Sequence, residues 1–147
     1  MQNKDTRLIW EAYEGEWAKG AWKVHGRGVD AEGNVGDLIR HLDQLRIEPQ
    51  EVETSTLSRL AADNFRKEDI TIKGVPYLDL SPEEQRKADE ETATRIQDAD
   101  LKYPVVVVTD NKEPFAIADG NHRLQKAVRN NIPTVMVRYI DKGQLPR

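Results

Sequence analysis

Four consecutive valines, Val105 to Val108, preceded by Tyr103-Pro104, most constrain what this chain can fold into. β-Branched side chains lose rotamer freedom in a helix and pack well on a pleated surface. A strand sends successive side chains to opposite faces, so an unbroken apolar run reads as a strand covered on both sides. The fold must therefore lay apolar elements over each face of one sheet. Asp110-Asn111-Lys112-Glu113 then reads as a turn and Pro114 to Ala118 as a short return strand, which makes a hairpin.

The flanking segments complete the pattern. Val75 to Leu80 reads as a strand, and Ser81-Pro82-Glu83-Glu84 as a helix start. Ser81 can cap, Pro82 suits the first helical position and Glu84 closes an S-x-x-E capping box. That helix should run to about Asp98, with Ala88, Thr92, Ile96 and Ala99 on its buried stripe. A second helix is expected from Asn121 to Asn130, with Leu124, Ala127 and Val128 inward, and Thr134 to Ile140 as a last strand. From 75 to 140 the order is strand, helix, strand, strand, helix, strand, an α+β arrangement.

Upstream, periodicity predicts helices over 6–18 (Leu8, Ile9, Ala12, Tyr13 and Trp17 on one face), about 36–45 (Leu38, Ile39, Leu42, Leu45) and 54–65 (Leu57, Leu60, Ala61, Phe65). Gly20, Gly26, Gly28 and Gly33 mark an irregular stretch between the first two. This divides the chain into a helical N-terminal extension, 1–70, and a core, 71–147. Trp10, Trp17 and Trp22 read as a packing cluster within the extension.

Composition narrows the function classes. The 147 residues contain no cysteine, which removes disulfides, thiolate metal sites and thiol nucleophiles and fits a cytoplasmic protein. No apolar run reaches the roughly 18–20 residues of a membrane span, and the start of the chain lacks the basic-then-apolar order of a signal peptide. Residues 48–100 hold 14 acidic and 7 basic groups, whereas residues 101–147 hold 4 and 8. A local basic site in the last third is compatible with this balance; coating nucleic acid with the whole surface is not. His25, His41 and His122 have no metal-ligand spacing.

Asp119-Gly120-Asn121-His122-Arg123 sits where the return strand gives way to a helix. The first amides of a helix lack acceptors within it and carry partial positive charge, so this position suits an anion. Gly120 lets the backbone approach a ligand, Arg123 can grip phosphate oxygens, and His122 can donate a hydrogen bond or move a proton. Asp119 beside an anion points to a metal–phosphate pair. The same residues also make an ordinary turn and cap, with Asp119 or Asn121 bonding backbone amides. His122, Asp119 and Asp79 are the candidates for a catalytic base, and Lys126, Arg129 and Arg138 for a basic surface.

The text Ala99-Asp100-Leu101-Lys102-Tyr103-Pro104-Val105-Val106-Val107, followed by Ala118-Asp119-Gly120-Asn121-His122-Arg123-Leu124-Gln125-Lys126-Ala127, resembles the ParB/sulfiredoxin-like superfamily, particularly its small phage and bacterial ParB-like members. The resemblance covers about 75–140. It implies a small mixed sheet flanked by helices and a loop that binds the phosphates of ATP or CTP. Gly120 would then let the phosphates approach, His122 and Arg123 would contact them, and Asp119 would hold a cation such as Mg²⁺ or orient the reacting group; Asn121 and Lys126 are further candidates for phosphate binding. Superfamily members include reductases, an amino-acid kinase, nucleotide-switched DNA-partition proteins and proposed nucleases. Without cysteine the reductase chemistry is not available, and no helix-turn-helix follows the motif as in partition proteins. Three functions stay open: metal-dependent phosphoryl chemistry (nucleotide hydrolysis or transfer, or phosphodiester cleavage), a nucleotide-sensing or protein-interaction module, and a small DNA-associated protein. Residues 1–70 would supply a partner surface or a homodimer contact.

Overall fold

The valine run forms the centre of the structure. In a computed structural model, which describes residues 20–64 and 66–146, it lies in β6 (Val105–Asp110). The order before it is β1 (Ala21–Gly26), β2 (Val29–Asn34), α1 (Val35–Gln44), β3 (Gln50–Glu53), α2 (Ser58–Asn64), β4 (Thr71–Ile72), β5 (Val75–Pro76) and α3 (Pro82–Asp98). After it come β7 (Glu113–Asp119), α4 (Asn121–Arg129) and β8 (Thr134–Asp141). Four strands form one sheet in the order β3-β8-β6-β7. β6 runs parallel to β8 and antiparallel to β7, and β3 closes the other side antiparallel to β8. The fold is α+β.

Strand alternation splits the valines between two cores. Val106 and Val108 face a core built from Trp22, Val24, Leu38, Ile39 and Leu42, so β1 and α1 cover that side. Val105 and Val107 face Leu57, Ala61 and Leu124, so α2 and α4 cover the other. All four are fully buried, as a run with no polar alternation requires.

Several expectations hold in detail. Ser81 caps α3 and Glu84 bonds back to the Ser81 amide, completing the capping box behind Pro82. α1 starts one residue before the expected position, with Asn34 accepting from the Asp37 amide.

Other expectations are corrected. The glycine-marked stretch is a regular hairpin, β1 with β2, because Trp22 and Val24 alternate inward while glycines serve its turn. The strand expected over 75–80 is limited to Val75–Pro76: Pro76 has no N–H for a ladder, the Tyr77 amide bonds back to Ile70, and Tyr77–Asp79 coil into a 3-10 turn. The helix expected over 54–65 divides into a 3-10 turn, Thr54–Leu57, and α2. The segment expected to be a helical extension ending at residue 70 also holds this hairpin, and β3 within it is a strand of the main sheet. Trp22 belongs to the core beside α1. The helix expected over 6–18, with Leu8, Ile9, Ala12 and Tyr13, lies outside the described residues, as do Trp10, Trp17 and Phe65.

Candidate functional site

The loop between β7 and α4 brings Asp119, Gly120, Asn121, His122 and Arg123 together at a helix start. Gly120 is the N-cap residue and takes a left-handed conformation, φ +95°. A Cβ there would stand 3.0 Å from the Val105 Cα and 3.2 Å from an Arg123 guanidinium nitrogen. Glycine is required both by the backbone angle and by the close approach to β6. Leu124 donates to the Gly120 carbonyl as the first full helical bond, and helix geometry gives the amides of residues 121–123 no acceptor within α4.

Arg123 does not point toward solvent. It is 1% exposed, with Nη1 donating to the Pro104 carbonyl at 2.9 Å and Nη2 to the Asp119 carboxylate at 2.8 Å. The guanidinium therefore fastens α4 to the chain entering β6 and to the last residue of β7. Both terminal nitrogens of the expected phosphate grip thus donate to the protein itself. The same contact accounts for Asp119, whose side chain is 16% exposed and answers a buried cation four residues away.

Lys126 is likewise engaged inside the fold. Its Nζ donates to the carbonyls of Gln97 and Ala99, both at 2.8 Å, at the C-terminus of α3. Carbonyls at a helix end lack partners within the helix and favour a cation. Lys126 is thus a clamp between α4 and α3. Arg138 is also internal, 4% exposed, bonding the Ile47 carbonyl and Asp43. Of the expected basic surface of Lys126, Arg129 and Arg138, only Arg129 is exposed.

Asp79 is not part of the loop. It is exposed on the 3-10 turn before α3, whereas Lys126 marks the other end of that helix. At about 1.5 Å per residue, α3 separates the two by more than 20 Å. Among the described residues no group of three or more His, Asp or Glu side chains is placed to hold a metal ion.

His122 is the titratable group of the loop. Burial holds its imidazole below the ordinary histidine value, and the nearby charges of Arg95 and Arg123 act in the same direction, against a smaller opposing pull from Asp119. Arg95, in the last turn of α3, lies close enough for its charge to act on His122, a proximity that residue spacing did not reveal. The only sequence hint was a cation at a helix C-terminus.

The shift of His122 has a definite sign. The unfolded chain takes up its proton near pH ~6.5, while the folded chain does so only at lower pH. The contribution of neutral His122 is complete above that value and is lost as the pH falls through the window below it. Thermal melts between about pH 7.5 and about pH 5.5 should show Tm falling on acidification, and His122→Gln should flatten that fall. An unchanged pH profile in the variant would remove His122 from the account.

No curated protein and no solved structure matches the chain. The matched family span, residues 49–132, reaches from just before β3 to the turn before β8 and includes the whole α4 loop. On that match over more than half of its length, the chain belongs to the family described as "Protein of unknown function (DUF1462)".

Proposed function

We propose that this chain is a ParB/sulfiredoxin-like phosphate-binding module that takes the phosphates of a nucleotide, ATP or CTP, at the start of α4. The observation carrying the reading is the left-handed Gly120, held against β6 by the buried Arg123, at the N-terminus of a nine-residue helix. The positive end of the α4 dipole would attract the phosphate oxygens. Neutral His122 would donate one hydrogen bond, and Arg95 would supply the long-range positive charge at the rim. Arg123 and Lys126 act behind the site: one shapes the loop and the other fixes α3 beside it.

The donor set does not fit a resident Mg²⁺. Asp119 offers one carboxylate, already bonded to Arg123, and a cation would arrive with the nucleotide's own phosphates. Binding is therefore the function that the geometry supports best. Turnover is the second reading, favoured by one feature: a neutral, half-buried His122 can accept a proton from a nucleophile.

Calorimetric titration of ATP, CTP and their Mg²⁺ forms tests the reading. Heat is expected for at least one nucleotide, with affinity lowered about tenfold by His122→Ala or Arg95→Glu, the scale of one charge-assisted hydrogen bond. Folded protein that gives no heat with any of them would sink the proposal. Phosphate release in the same samples separates turnover from binding.

A further inference from the structure

A cleft of about 240 Å³ is lined by α3, by the segment 67–77 and by Arg129, the last residue of α4. Its apolar walls are Ile70 and Ile72 from the segment and Ala88 and Ala93 from α3. Tyr77 is 5% exposed, and its hydroxyl donates to the Asp89 carboxylate, 2.9 Å from either oxygen. The Lys67 ammonium lies 5.3 Å from the centre of the same ring. Val75 stands in register with Ile72 across β4 and β5 and is exposed, so apolar surface continues beside the cleft.

The charges of this lining do not balance. Asp89 is already bonded by Tyr77, and nearby Glu68 is paired with Arg66. Lys67 and Arg129 enter no ion pair among the described residues. Two cations against one carboxylate leave a single positive charge, which one negative charge on a ligand would neutralise. A triphosphate would bring an excess of negative charge against Asp89. The volume also sits below the range of about 300–1,000 Å³ that suits drug-sized ligands, so the occupant is small.

We propose that this cleft binds a small monocarboxylate with an apolar tail, its head held by Lys67 and Arg129 and its tail resting on Ile70 and Ile72. Arg129 can grip both carboxylate oxygens with its planar fork, while Lys67 acts as a point charge. The site is separate from the start of α4, because Arg129 stands at the opposite end of that helix, about 12 Å along its axis.

The test is an amide chemical-shift titration of the full chain with sodium hexanoate at fixed ionic strength, with hexanamide as the neutral isostere. Saturable shifts are expected at the amides of Ile70, Ile72, Thr92 and Arg129. Hexanamide should bind about tenfold more weakly, the scale of one charge-assisted hydrogen bond. Lys67→Gln/Arg129→Gln should lower hexanoate affinity about tenfold, and Ala93→Leu, which fills the cleft from α3, should lower it as far. All three side chains are exposed, so both variants should remain folded. Shifts that grow without saturation, an equal response to hexanamide, or binding that survives either variant overturn the proposal. So do saturable shifts confined to residues 120–123, which would put the carboxylate at the start of α4 instead.

Discussion

Arg123→Ala should lower the unfolding free energy by about 3–5 kcal/mol, the range for removing one partner from a buried ion pair. The guanidinium is 1% exposed and bridges the Pro104 carbonyl and Asp119, so alanine leaves an acceptor and a partly buried carboxylate with fewer partners. It also leaves a cavity between α4 and β6, which adds to the loss. Against a typical total of about 5–15 kcal/mol, this is a large fraction. Urea unfolding of wild type, Arg123→Ala, Asp119→Ala and the double variant gives the pair energy as a cycle. The double variant should lose less than the sum of the singles. A loss below about 1 kcal/mol for Arg123→Ala would show that the guanidinium is not the brace described here. Arg123→Lys should recover part of the loss only, because a point-charge ammonium cannot span both acceptors as the planar fork does.

Gly120→Ala should be the most damaging small change to the proposed site. At φ +95° an L side chain is strained, by about 1–2 kcal/mol for a left-handed residue. The new Cβ would also stand 3.0 Å from the Val105 Cα, a backbone atom in the most buried strand, which cannot give way easily. The loop must then move, and the amides of residues 121–123 move with it. Thermal stability and nucleotide titration should therefore both fall. A variant with wild-type melting and wild-type affinity would contradict the geometric requirement. His122→Ala separates the effects, since it should weaken binding while leaving the brace of Arg123 in place.

How much of this was legible before the structure depends on the reach of each signal. Val105–Val108 announced a strand covered on both faces, and Ser81-Pro82-Glu84 marked a helix start to the residue, because both are local consequences of chain geometry. Gly120 was legible as a site of close approach for the same reason. The roles of Arg123 and Lys126 were not. Each reads as a ligand contact in the sequence, and the acceptors each meets, the Pro104 carbonyl in one case and the Gln97 and Ala99 carbonyls in the other, lie 19 to 29 residues away along the chain. A basic side chain near a helix start reads the same whether its acceptor is a phosphate or a backbone oxygen. β3 was missed because four residues with one half-buried valine carry almost no alternation. The β1–β2 hairpin was hidden by glycines that suggested irregularity, although Gly26 and Gly28 serve its turn and Gly33 lies against Trp22 within β2.

The placement of β3 also sets an order of assembly. β6 meets β7 through a tight turn and β8 through a single crossover, but β3 pairs with β8 across more than 80 residues of intervening chain. Closing so long a loop is entropically unfavourable until the sheet it joins already exists. By this argument β3 should be the last strand to zip onto the sheet and the first to peel away, while the valines of β6 hold the centre.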